Sequence, residues 1–123
     1  MINLIYVLNF FECGHFCINY ILKKDKKKRA VAYDKIMMSL SLVKRVLNEY
    51  YSSVVWYKNV NIDKINTRCV SLVKLGENKY HYIVIESIKN DIVYYYDPIF
   101  LFIRRVKKKK FIKKWSKMVC IYS

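Results

Sequence analysis

The chain has 123 residues and a formal net charge of +15, with 24 Lys and Arg against 9 Asp and Glu. Its length suits a single domain spanning residues 1–123. Hydrophobic residues make up 54% of it and Gly and Pro together number 3, which excludes a disordered basic tail or a low-complexity linker.

The elements follow in chain order. Met1–Phe11 is apolar but shorter than the ~20 residues a bilayer span needs. It has no basic start and no small-residue cleavage site, so it does not read as a signal peptide. Between Glu12 and Leu22 the apolar residues Phe16, Cys17, Tyr20 and Ile21 fall at helical spacing, with Cys13 at the expected N-terminus of that helix. The basic run Lys23–Arg29 ends or follows it. A second helix is predicted over Tyr33–Tyr50, where Ile36, Met37, Leu40, Val43, Val46 and Leu47 recur every three or four residues. Val54–Val60, Cys69–Leu75, His81–Ser87 and Ile92–Tyr96 are short and rich in β-branched and aromatic residues, so they read as strands. Glu77-Asn78-Lys79 and Lys89-Asn90-Asp91 read as antiparallel connections. A short helix over Lys108–Trp115 and a closing strand over Met118–Tyr122 complete the chain. Helices followed by strands are an α+β order.

Lys23–Arg29 carries six cations and one anion, and Arg104–Lys117 nine cations and no anion, so these two segments hold 14 of the 15 net charges. Lys, Ile, Tyr, Asn and Phe, all encoded by AT-rich codons, supply 61 residues, and such a bias alone enriches Lys. The basic segments suit an anionic membrane surface, an acidic protein or a nucleic acid. No nucleic-acid signature accompanies them, so no specific nucleic-acid partner is expected.

The four cysteines are Cys13, Cys17, Cys69 and Cys120. Without a secretion signal they read as free thiols. Cys13-x3-Cys17 with His15 between has no second ligand pair downstream, so no metal site and no cofactor is expected. Three polar residues stand out. A Cys at a helix N-terminus gains a lowered pKa from the helix dipole, and Gly14 after it allows close approach of a substrate. His81 opens one strand and Asp97 closes the next, just before Pro98. If those strands pair through Lys89–Asp91, His81 and Asp97 meet. A Cys nucleophile, a His base and an Asp orienting the His form a thiol-peptidase triad.

These residues carry a family resemblance. Glu12-Cys13-Gly14-His15-Phe16-Cys17, His81-Tyr82-Ile83-Val84-Ile85, Asp97-Pro98 sixteen residues after the His, and Phe111-Ile112-Lys113-Lys114-Trp115 before an apolar end resemble the bacteriocin-processing cysteine peptidases. In that family the domain sits at the head of ABC exporters and removes leader peptides ending in a double glycine. The resemblance covers nearly the whole chain and looks like a free-standing version of that domain. It implies a papain-like fold with a helical half holding Cys13 and a β half holding His81 and Asp97. It also implies Cys13 as nucleophile, His81 as general base and Asp97 as its orienter, acting through a thioester. The expected partners are a leader-bearing peptide and an ABC exporter. The expected location is cytoplasmic, with the basic segments available to dock at an anionic membrane face.

Two positions depart from the family pattern. The family's oxyanion Gln, six residues before the Cys, is Val7 here, and Asn9 is the nearest amide that can substitute. Ile99-Phe100-Leu101 follows Pro98 where the family often has Gly. The alternative to an active peptidase is therefore a degenerate peptidase-like domain that binds a leader peptide or exporter without cutting.

Overall fold

The computed structural model describes residues 2–27, 38–76, 79–100 and 102–123, with the backbone alone for 2–12. Helix α1 spans Ile2–Lys24. Its face carrying Cys13, Cys17, Ile18, Ile21 and Leu22 is buried, a stripe at three- and four-residue spacing that seats the helix on the sheet. Each such Ile or Leu taken fully out of water contributes roughly 1.5–3 kcal/mol. Helix α2 spans Leu40–Asn48 and buries Val43, Val46 and Leu47. Its start is later than the predicted Tyr33, because Ser39 has extended backbone and its hydroxyl accepts the Leu42 amide at 3.1 Å, the geometry of an N-cap. The earlier part of that predicted helix, residues 33–37, and most of the Glu77–Lys79 connection lie outside the described residues.

Six strands form one antiparallel sheet: β1 Val54–Tyr57, β2 Cys69–Lys74, β3 Tyr80–Lys89, β4 Ile92–Asp97, β5 Phe102–Lys107 and β6 Trp115–Tyr122. Their order across the sheet is β1-β6-β2-β3-β4-β5. The predicted Cys69, His81 and Ile92 strands are present. β5 falls where only a basic run was read, and the predicted Lys108–Trp115 helix is the single short helix α3, Lys108–Ile112. Edge position explains the missed strand: Phe102 and Ile103 are consecutive and both exposed, so no inside–outside alternation marks it. β3 and β4 are joined through Asn90 and Asp91, both with positive φ (51° and 63°), as a two-residue hairpin turn with right-handed strand twist requires.

Each face of the sheet carries a core. On one, α1, α2 and Met38 pack on Val54, Val70, Tyr82, Val84 and Cys120. On the other, Ile62, Phe111 and Trp115 cover Cys69, Val73, Ile83, Ile85, Val93 and Tyr95. The two longer helices α1 and α2 thus lie on one face of the sheet and the short α3 closes the core on the other, an α+β arrangement. Among the described residues, no helix is long and apolar enough to cross a membrane.

One irregularity in the sheet is closed by a hydroxyl. Between Ser71 and Val73 the β2–β6 register jumps from Val119 to Trp115, and Lys117 in the gap has φ 64°. The fully buried Ser71 hydroxyl donates to the Met118 carbonyl at 2.6 Å and accepts from the Trp115 indole N–H at 2.7 Å. Ser71→Ala strands both groups away from water. The expected loss is about 2–4 kcal/mol of unfolding free energy, measurable by urea denaturation; Ser71→Thr, which keeps the hydroxyl, is expected to lose less.

Candidate active site

The start of β3 and the end of β4 lie at the same end of their ladder, which pairs Val84 with Tyr96. There His81 Nε2 donates to Asp97 Oδ1 at 3.2 Å. Both side chains are nearly sealed from solvent, His81 at 4% and Asp97 at 1% exposure. Asp97 Oδ1 also accepts the Ile99 amide at 3.1 Å. Pro98 has no N–H to offer, so the amide two residues on closes this Asx turn. With Nε2 engaged by a carboxylate, the neutral imidazole carries its proton on Nε2 and leaves Nδ1 as an acceptor. Nδ1 is buried with no hydrogen-bond partner among the described residues.

Cys13 reaches this end of the sheet from α1. Its Sγ accepts the Tyr82 amide at 3.4 Å, and that amide belongs to the peptide joining His81 to Tyr82. Sequence reasoning missed this contact because no local pattern encodes which strand amide meets a helix side chain.

Three sequence expectations are corrected at this point. Cys13 stands in the middle of α1 rather than at a helix N-terminus, because the helix runs unbroken from Ile2. It therefore lacks the unpaired amides of a helix start, and its own N–H belongs to the helical ladder. Its thiol is consequently not lowered. Burial pushes it up from 9.0 to about 11, with the Asp97 charge acting in the same direction and the Tyr82 and Gly14 amides opposing. The space over Gly14 is not open to a substrate either. A Cβ there would stand 2.8 Å from Met38 Sδ and 3.1 Å from Met38 Cβ, and the Met38 carbonyl is fixed by the Tyr82 hydroxyl at 2.7 Å. Met38 was not singled out in the sequence; the absence of a side chain at Gly14 is the one signal that something packs closely there. The side chains of Val7 and Asn9, the oxyanion positions, lie outside the described residues.

With this geometry in hand, comparison with solved structures gives a consistent result. The chain is similar to the peptidase domain of Streptococcus ComA, a bi-functional ABC transporter involved in a quorum-sensing pathway, with TM-score 0.75 and 14% identity over 92% of this chain and 91% of that one. The peptidase domain of Streptococcus mutans ComA gives TM-score 0.62 and 13% identity over 91% of each chain. Its complex with a small-molecule inhibitor gives 0.66 and 14% over 93% of each. No protein-family model and no curated protein matches the sequence. The fold is thus α+β and papain-like, that of the ComA peptidase domains.

The raised thiol has two measurable consequences. A shift from 9.0 to about 11 leaves about 100-fold less thiolate at neutral pH. Iodoacetamide is therefore expected to label Cys13 more slowly than a peptide cysteine at pH 7.5, with the rate climbing about tenfold per pH unit toward pH 11, as followed by mass spectrometry. A rate equal to that of the free thiol contradicts the buried, protonated state. Burial likewise raises Cys69 and Cys120 to about 12. The unfolded thiols release protons near pH 9 while the folded ones hold them. Their contribution to stability is therefore full below pH 9 and is lost as pH rises toward 11–12. The urea midpoint is expected to be level from pH 7 to 8.5 and to fall beyond pH 9.

Proposed function

We propose that the protein is a slow cysteine peptidase of the bacteriocin-processing type, cleaving peptides after a double glycine. The observation that carries this reading is the buried His81–Asp97 pair with His81 Nδ1 unpartnered among the described residues, and the Cys13 sulfur held at the His81–Tyr82 peptide. The fold of the ComA peptidase domains supports it. Asp97 orients His81. Because the thiol is protonated at neutral pH, cleavage requires His81 Nδ1, which has no hydrogen bond to Cys13 in the resting structure, to take that proton as Cys13 Sγ attacks the scissile carbonyl, in general-base fashion. The imidazolium then protonates the leaving amine, and water hydrolyses the thioester with His81 again as base. An ABC exporter is the partner this reading implies.

Two features of the oxyanion site slow the reaction. Val7 replaces the family's amide donor, and the Cys13 N–H is committed within α1. Loss of one oxyanion donor lowers kcat roughly 100- to 1000-fold. Those same features favour a second reading, in which the domain holds a peptide without cutting it.

One assay separates the two. Wild-type protein incubated with a peptide containing a Gly-Gly site is expected to cut after the second Gly, as read by mass spectrometry. Cys13→Ala abolishes the cut, Asp97→Asn lowers kcat about 100-fold or more, and Val7→Gln raises it. Peptide binding with no turnover, unchanged by Cys13→Ala, establishes the second reading instead.

A further inference from the structure

The short helix α3 has one side chain to bury. Phe111 is 4% exposed, with its ring centre 5.3 Å from that of Tyr95 and 5.9 Å from that of Trp115. Seating Phe111 on the sheet turns the rest of this lysine-rich segment outward: Lys109, Lys110, Ile112 and Lys113 are exposed. Lys108 is engaged by Asp63 and Asp91 and offsets both carboxylates. From Pro98 to Ser123 the chain has no Asp or Glu, so nothing in this segment opposes the remaining cations.

Beside α3, on the same face of the sheet, β5 adds aromatic surface. Arg104 stands opposite Tyr95 in the β4–β5 ladder, so the two side chains share a face. The Arg104 guanidinium lies 6.0 Å over the Tyr95 ring and 5.0 Å over the Phe100 ring. Phe100 and Phe102 meet edge to face, with centroids 6.0 Å apart and planes at 61°. Both remain half in water, at 50% and 55% exposure. Two adjoining exposed rings flanked by cations make this an amphipathic surface.

We propose that the face formed by Phe100, Phe102 and Arg104 with Lys109, Lys110 and Lys113 docks on an anionic lipid bilayer. The rings enter the boundary between headgroups and acyl chains, and the cations meet the headgroup phosphates. Charge complementarity sets the sign of the partner. The side chains set its kind. Bases stack on rings that present a common platform, which two rings crossed at 61° do not offer. Lysines are point charges on flexible stems, suited to a diffuse layer of headgroups more than to fixed pairs on an acidic protein. Among the described residues no helix is long and apolar enough to cross a membrane, so the contact is peripheral. Phe102 stands opposite Asp97 in the β4–β5 ladder, and docking therefore brings the bilayer to the end of the sheet that holds the His81–Asp97 pair. The inference does not depend on whether that site cuts a peptide.

The test sediments the full chain with sucrose-loaded vesicles. Binding is expected to vesicles with about 30% phosphatidylserine and not to pure phosphatidylcholine, with release at about 0.5 M salt. Replacing Lys109, Lys110 and Lys113 by Gln is expected to weaken binding about 100-fold. Lys23, Lys24, Lys26 and Lys27 serve as the control; they rim a groove floored by Phe16, Tyr20 and Tyr96 at the end of α1, with Phe102 at its edge. Replacing Lys23, Lys24 and Lys26 by Gln removes the same charge and is expected to weaken binding less than about threefold. Phe100→Ser with Phe102→Ser leaves the charge unchanged and is expected to weaken binding about tenfold. Bound vesicles are expected to protect Lys109, Lys110 and Lys113 of the unaltered protein from acetylation, a readout that needs no variant to fold. Equal losses from the two lysine replacements overturn the inference, since they mark binding by net charge alone. Unchanged affinity after the double Phe replacement overturns it as well. Protection of Lys109, Lys110 and Lys113 by duplex DNA or by polyglutamate, with none by vesicles, overturns it in favour of a nucleic acid or an acidic protein.

Discussion

One extra residue in β3 decides whether the candidate site exists. Near the turn, Lys89 pairs with Ile92, Ile88 with Val93 and Ser87 with Tyr94; beyond it, Ile85 pairs with Tyr95 and Val84 with Tyr96. Glu86 is the residue left over, a β-bulge. Because side chains alternate with a period of two, a one-residue offset moves every later side chain to the other face. Continued without the bulge, the ladder would set Asp97 opposite Val84, and His81 would point to the face away from it. With the bulge, His81 shares a face with Ile83 and Ile85, as Asp97 does with Val93 and Tyr95, and the two meet. Arg68 holds the bulge in place: its guanidinium pairs with Glu86 and reaches Asp25 at 3.5 Å, where α1 ends. Tyr51 donates to the same Asp25. One ion-paired cluster thus ties the bulge of β3 to the end of the helix that carries Cys13.

The second requirement is the apolar stripe of α1. Cys17, Ile18, Ile21 and Leu22 are essentially sealed against the sheet, and their position sets where Cys13 lands along β3. The burial that positions the sulfur also keeps it protonated. Placement and reactivity therefore pull in opposite directions here. A nucleophile at a helix N-terminus escapes that conflict, since unpaired amides there favour the thiolate. Cys13 in mid-helix does not, and this shifts the burden of activation onto His81.

How much of this was legible in the sequence follows from the range of the interactions involved. Ile92–Tyr96 shows its strand through β-branched and aromatic residues between polar turns, and the burial of β4 then alternates residue by residue. Asp97 before Pro98 announces a turn, and the Asx bond to Ile99 is its physical content. The β half of the site could thus be read from local signals plus one hairpin. The bulge could not, because Glu86 and Ser87 continue a strand-like run and only the pairing reveals the surplus residue. The start of α1 was misread for a related reason. Met1–Phe11 is apolar apart from Asn3 and Asn9, so no polar face marks a helical period there, and the periodic stripe begins only near Cys13. β5 escaped because an edge strand with both Phe102 and Ile103 exposed lacks the alternation that betrays a strand.

The positive charge divides in a way composition alone does not suggest. In the C-terminal basic segment, Lys108 is partly structural, bridging Asp63 at 2.8 Å and Asp91 at 3.2 Å and so linking the 3-10 turn at Ile62–Lys64 to the β3–β4 turn. Arg104 lies 5.0 Å over the Phe100 ring and 6.0 Å over Tyr95, where it covers aromatic surface. The lysines that end α1 are different: Lys23, Lys24, Lys26 and Lys27 form no ion pair among the described residues and cluster at one groove. Codon bias explains an abundance of lysine; it does not explain four lysines gathered at the rim of an aromatic groove. Solvated charges scattered by bias gain nothing from such crowding, since like charges this close repel. A fold that keeps them together bears that repulsion.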